Sequence, residues 1–182
     1  MTTTPTKPDH IMKTTRTLAL TAVFLMGSGS LFSAETKSSL NAADQKFVKS
    51  TVSDGKSEVR LGQLGAGKAD DKAVKEIAEL MVKDHTAANA ELEALAKSKG
   101  VELSVANDPK TDKVIASLEK VSGKDFDKAF LKQLEKDHKK DVAAFESASK
   151  DAKDGELKAW VDKTLPTLKG HLEHVKTTVK GK

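Results

Sequence analysis

Four polar side chains in this sequence are of the types that bind a divalent cation, and helical spacing turns each of them inward: Glu58, His85, His138 and His171. Three imidazoles with one carboxylate suit zinc, iron, manganese or copper. Asp84, Glu135, Asp137 and Asp141 are carboxylates that could orient imidazole N–H groups around such an ion. Asp84 follows its own geometry, because adjacent helical residues point about 100° apart and it cannot pair directly with His85. The other reading of the same residues is structural: each histidine sits at a helix interface and hydrogen-bonds a neighbouring acid, as buried polar groups ordinarily do. Both readings stay open at the level of sequence.

More demanding chemistries fit less well. A di-iron carboxylate centre needs a Glu-x-x-His pair on each of two helices. Only Glu135-Lys136-Asp137-His138 supplies one; Val82 and Leu168 stand three residues before His85 and His171. His171-Leu172-Glu173-His174 has i, i+3 spacing and lacks the H-E-x-x-H pattern with its general base. No motif names a reaction or a nucleophile, so the sequence assigns no catalytic residue and leaves open whether the protein is an enzyme.

The elements that must carry these side chains are helices. Phe47, Val48, Val52, Val59, Leu61 and Leu64 recur at helical spacing over Asn41–Leu64, and Gly65-Ala66-Gly67-Lys68-Ala69 reads as a turn. Gly55 and Gly62 fall inside this first helix at a cost of about 1 kcal/mol each, which a close helix contact would offset. A second helix runs from after Asp70 to Lys99 on the stripe Val74, Ile77, Ala78, Met81, His85, Ala88, Leu92, Leu95, with Gly100 closing it. Asp108-Pro109 opens a short helix to Val121, closed by Gly123. The third long helix spans Asp125–Lys150 with Phe126, Phe130, Leu134, His138, Val142 and Phe145 on one stripe. Asp154 caps the fourth, whose stripe includes Leu157, Val161, Leu168, His171 and Val175, and which Pro166 should kink or divide. Trp160 and the phenylalanines read as core. Two helical hairpins joined by a long connection that carries a short extra helix make an all-α, ferritin-like four-helix bundle. An up-down-up-down bundle with short loops is the rival topology, and the connection is too long for it.

Composition agrees with helix, since aromatic residues make up 4% of the chain and Tyr is absent. Of 31 basic and 27 acidic residues, positions 1–34 take Lys7, Lys13, Arg16 and Asp9, leaving 28 and 26. That balanced surface, with Arg60 its one arginine, excludes a nucleic-acid footprint. Met12-Lys13-Thr14-Thr15-Arg16 followed by the apolar Leu18–Phe32 reads as an export signal, cleaved after Ala34, with Ser30 and Ser33 as other cut sites. A retained anchor is the alternative, although the run is short and glycine-broken for a stable membrane span. Residues 1–11 read as an upstream-start extension, residues 35–182 as one domain. Without cysteine there is no disulfide, thiol catalysis or lipoprotein attachment.

Four strings in order, Ser57-Glu58-Val59 with Leu61-Gly62, Met81-Val82-Lys83-Asp84-His85-Thr86 with Glu91-Leu92, Gly123-Lys124-Asp125-Phe126-Asp127 with His138, and Leu165-Pro166 with His171-Leu172, resemble the bacterial family catalogued as domain of unknown function 4142. The resemblance covers nearly all of residues 41–179. It implies an exported ferritin-like bundle, often labelled an outer-membrane protein, with Glu58, Asp84, His85, Asp127, His138, Pro166 and His171 as family-type positions. No activity follows from it. The expectation is therefore an exported periplasmic or envelope protein that binds one divalent metal ion in the bundle core, or, as the alternative, a structural or interaction module of the envelope with no metal site. Its protein partner is unknown.

Overall fold

A computed structural model describes residues 38–180; the leader, its cleavage site and the upstream extension lie outside the described residues. Five helices follow in order: α1 (Ala42–Lys68), α2 (Lys72–Ser98), α3 (Pro109–Glu119), α4 (Gly123–Asp151) and α5 (Gly155–Lys180). No strand occurs among the described residues, and none of their helices is long and apolar enough to cross a membrane.

Local chemistry sets most of the ends. Asn41 Oδ1 accepts from the Asp44 amide at 2.9 Å to start α1, and Asp71, one residue later than the spacing suggested, caps α2 by accepting from Ala73 and Val74. Asp108 with Pro109 opens α3. Asp154 takes the amides of Glu156 and Leu157 at the start of α5. Gly100 ends α2 at φ 67°, in the left-handed region where a side chain would be strained.

Three expectations need correction. The segment Gly65–Lys68 is the last turn of α1, because the absent side chain of Gly65 leaves room for the ring of Phe130 from α4 and the methyl of Ala78 from α2. Gly123 does not close the short helix; it begins α4 at φ 57°. Pro166 does not divide α5, which continues through it to Lys180. The two interior glycines of α1 do have a close contact to offset their cost: a Cβ on Gly62 would stand 2.9 Å from Val82 Cγ2 and 3.0 Å from the Ala78 carbonyl, and one on Gly55 would collide with Asn89. The α1–α2 hairpin is thus drawn together backbone to backbone.

The connection between hairpins must run the length of the bundle. At one end, the base, the Ser39 amide donates to the Lys99 carbonyl, so α1 starts where α2 finishes. Asp44 accepts from the amides of Lys153 and Asp154, which brings the α4–α5 turn to the same end. At the far end Asp127 of α4 accepts from Asp70 and Asp71 in the α1–α2 turn. The chain leaves α2 at the base and enters α4 at the top, and α3 climbs along α1 on the way, tied by Thr111 to Ser57 and by Arg60 to Asp112. This is the ferritin-like arrangement, with α2 beside α5 and α1 beside α4.

The apolar interior has two parts. Toward the base, Val48, Val52, Leu92, Phe145, Leu157 and Trp160 pack together with their neighbours. Toward the top, Ile77, Met81, Phe126, Phe130, Leu131 and Leu134 do the same. Each fully buried side chain of this size contributes roughly 1.5–3 kcal/mol. Between the two clusters each long helix contributes a buried residue that could bind a cation.

Candidate metal centre

Those residues are Glu58 on α1, His85 on α2, His138 on α4 and His171 on α5, all buried. Their heights agree because of how the helices are counted from the base. Glu58 and His171 are each the seventeenth residue of their helix, and His85 and His138 each the fourteenth from the end of theirs. The remaining three residues amount to about 4.5 Å at 1.5 Å per residue, within the reach of a glutamate side chain.

The three imidazoles form a near-equilateral triangle, with ring centroids 5.4 Å apart for His85 and His138, 5.5 Å for His85 and His171, and 5.4 Å for His138 and His171. Each ring has one nitrogen against an oxygen. His138 Nδ1 donates to the Leu134 carbonyl at 3.0 Å. His171 Nε2 donates to Asp84 Oδ2 at 3.0 Å. His85 Nδ1 faces Glu58 Oε2 at 3.1 Å. The nitrogens left over are His85 Nε2 and His138 Nε2, 3.4 Å apart, and His171 Nδ1, which is buried with no hydrogen-bond partner. One ring nitrogen of each residue lies within 4.8 Å of the others, and among the described residues this trio is the group of histidine or acid side chains close enough to share one ion.

Burial decides the charge state of the rings. It pushes His85 down to about 3, with the neighbouring His138 and His171 lowering it further. Burial and His171 push His138 down to about 4 against the help of its bond to Leu134. His171 is lowered by burial, in part opposed by Asp84. All three are neutral at pH 7, the state in which imidazole nitrogen binds metal.

Glu58 was expected as a fourth inward ligand. It does arrive at the centre, but its carboxylate stands against the outer nitrogens, Nδ1 of His85 and, at 3.4 Å, Nδ1 of His138. Burial first, then repulsion from Asp141, holds its carboxyl well above the usual carboxylate range. Asp141 is itself pushed up to about 6, chiefly by burial. Asp54 and Glu58, and Asp137 and Asp141, are like-charge pairs one turn apart, each a cost of about 0.2–0.5 kcal/mol on an isolated helix. A void of about 30 Å³ beside His85, Glu58, Asn89 and Trp160 is large enough for one water-sized occupant.

Of the four carboxylates read as orienters, Asp84 reaches an imidazole, that of His171 across the α2–α5 contact. Glu135 pairs with Lys139 at 2.7 Å, which also removes the one Glu-x-x-His pair from the centre. Asp137 accepts from Gln133, and Asp141 lies beside Glu58. Two partners escaped sequence reasoning. The Leu134 carbonyl left no signal, since every helical residue has a carbonyl four positions before it. Glu58 as an acceptor was hidden behind its reading as a ligand.

A family model described as a domain of unknown function, DUF4142, matches residues 30–178. No curated protein matches the chain. Among solved structures, a DUF305 fragment from Deinococcus radiodurans superposes with a TM-score of 0.70 at 14% identity, over 79% of this chain and 99% of that one. CopM is similar in its Cu(I)-bound form, with a TM-score of 0.64, and in its Cu(II)-bound form, at 0.63, both at 14% identity over 76% of this chain and 96% of theirs. At such identities the likeness is one of fold.

Proposed function

We propose, for a chain that belongs to the DUF4142 family, that it binds one transition-metal ion through His85, His138 and His171. Glu58 and Asp84 orient the rings. The carrying observation is the division of labour within each imidazole: one nitrogen is held against an oxygen and the other is not, those of His85 and His138 facing each other at 3.4 Å, with a ligand atom of each of the three rings within 4.8 Å of the others. That is how metal-binding histidines are commonly set, with the outer N–H donated to a carboxylate or carbonyl that fixes the ring and raises its basicity. Three neutral nitrogen donors without thiolate suit Cu(II) and Zn(II), and borderline Cu(I). The likeness to a copper-bound bundle favours copper for the first trial. A purely structural role for the histidines accounts less well for His171 Nδ1, buried without a hydrogen bond, since a buried unsatisfied group costs about 1–3 kcal/mol.

The same proposal sets the protein outside the cytoplasm, in the periplasm or envelope. The charged n-region around Lys13 and Arg16 and the apolar stretch after it support that placement.

Calorimetric titration of metal-free protein with Cu(II), with Zn(II), and with Cu(I) under reducing conditions tests the metal reading. Saturable binding of one ion per chain is expected, lost in His85→Ala and in His138→Ala. Absence of saturable binding in the wild type, or an unchanged isotherm in His85→Ala, removes the idea.

A further inference from the structure

Two pairs of carboxylates face one another across a cleft between α1, α3 and α4. Asp54 and Glu58 stand one turn apart on α1, Asp137 and Asp141 one turn apart on α4, and the cleft that they line has a volume of about 290 Å³. Their burial is graded. Asp54 and Asp137 are half-buried, Asp141 is 8% exposed and Glu58 4%. At the inner end Glu58 Oε1 takes no hydrogen from a ring, because the nearest nitrogen, His138 Nδ1, gives its own to Leu134, and the Glu58 carboxyl is hydrogen-bonded to that of Asp141. The other oxygen of Glu58 touches His85. A file of acids therefore runs from the surface to the imidazoles, its two innermost members, Asp141 and Glu58, joined by a hydrogen bond.

Carboxylates gathered against their own repulsion attract cations, and they can either hold one or pass it on. Holding requires several oxygens around a single point. Among the described residues the histidine trio is the group compact enough to share an ion, so these acids do not form a cage of their own. Passing requires separated steps of increasing burial, which is what the file supplies. Lys140 stands at the mouth with Nζ 2.8 Å from Asp54 Oδ2, its side chain 64% exposed. An exposed lysine is a displaceable cation, able to swing away and let another take its place. The opposite side of the centre offers less, because Asp84 is a single carboxylate already occupied with His171.

We propose that the cleft between α1, α3 and α4 is the route by which a divalent cation reaches the three imidazoles, stepping from Asp54 and Asp137 to Asp141 and Glu58, with Lys140 as the cation it displaces. This inference rests on the metal reading of the histidines. It concerns the path and not the destination, so the two can fail separately.

The test is the rate of Cu(II) and of Zn(II) uptake by the metal-free full chain in stopped flow, with release to a chelator and the equilibrium affinity measured alongside. The double variant Asp54→Asn with Asp137→Asn is expected to load and to release about tenfold more slowly, within the range of electrostatic steering, with affinity unchanged within about twofold. Lys140→Gln is expected to load about threefold faster on the same grounds. Glu79→Gln, which removes one charge from the exposed side of α2, should load at the wild-type rate. Equal loading rates in the double variant and the wild type would overturn the route. So would slowing matched by Glu79→Gln, a sign of general charge, or a loss of affinity through faster release, a sign that the acids hold the ion. Wild-type protein that takes up neither metal would overturn the metal reading and this route together.

Discussion

Asp44 and Asp127 stand 83 residues apart and do the same work at opposite ends of the molecule. Each lies near the start of one hairpin and accepts two backbone amides from the turn of the other, Asp44 from Lys153 and Asp154 at 3.1 Å each, Asp127 from Asp70 at 3.1 Å and Asp71 at 3.0 Å. The same offset relates the helix caps Asp71 and Asp154, and the buried acids Glu58 and Asp141. The two hairpins are built to one plan, and each completes the turn of its counterpart.

Removing either acid should therefore act on stability and leave the centre alone. Asp127→Ala and Asp44→Ala are each expected to cost about 2 kcal/mol, the scale of lost caps and of hydrogen bonds to a charged group. Because the sites are far apart, the double variant should be additive within about 0.5 kcal/mol. Urea unfolding measures both quantities. A double variant no less stable than the singles would show that the turns do not depend on these carboxylates.

The glycines of α1 give a contrast within one helix. Gly62→Ala places a methyl against Val82 and the Ala78 carbonyl, and a loss of about 1–3 kcal/mol is expected from the forced separation of α1 and α2. Gly67 has nothing within 4 Å of an added Cβ, so Gly67→Ala should gain about 0.5–1 kcal/mol from helix propensity. Thermal unfolding separates the two signs, and a stabilised Gly62→Ala would refute the close approach.

Asp84→Asn keeps the shape of the side chain while weakening its hold on His171 Nε2–H. Metal affinity is expected to fall by about 10–100-fold, as for other outer-shell carboxylates, with one ion still bound. A competition titration with a chromophoric chelator reads the change. Identical affinities would mean that Asp84 serves only the α2–α5 contact.

Acid should weaken the metal-free fold. The folded histidines sit below their ordinary value of 6.5, at about 3 for His85 and about 4 for His138, with His171 also lowered. As pH falls below about 6.5 the unfolded chain takes up protons on three imidazoles that the fold refuses, so their contribution, present above that value, is lost toward pH 4. Facing them, Asp141 and Glu58 have raised values and act in the opposite sense, since the fold gains a proton on Asp141 near pH 6. The rings of His85 and His138, with His171 acting in the same direction, outweigh the uptake on Asp141 and Glu58, and the unfolding free energy at pH 5 should lie below that at pH 7. In His138→Gln the slope should be shallower by about one proton. A flat or inverted profile in the wild type would contradict the burial of neutral rings.

The helices and their inward faces could be read from the sequence because period and capping agree along most of the chain. Val74 to Leu95 shows both, and the histidines of α2, α4 and α5 fell on apolar stripes that could only face inward. What could not be read depended on a second helix. Gly65-Ala66-Gly67 has the composition of a turn, and the close approach of Phe130 and Ala78 to Gly65 comes from two other helices. Asp84 was placed correctly as no partner of His85, yet its real partner, His171, is 87 residues away across a contact that spacing cannot supply. Glu58 was located but the nitrogens that it meets were not, because they depend on ring orientation.

The division of the apolar interior into two clusters has a mechanical consequence. A bundle with its apolar side chains gathered toward both ends and neutral polar rings at its waist has less apolar packing in the middle than at either end, and should be softest there. Backbone amides around His85 and His138 should then exchange with solvent sooner than those near Phe126 or Leu157, although they are as deeply placed. An ion bound there as proposed would be clasped by three helices at that level, act as a rivet and convert the weakest cross-section into the strongest.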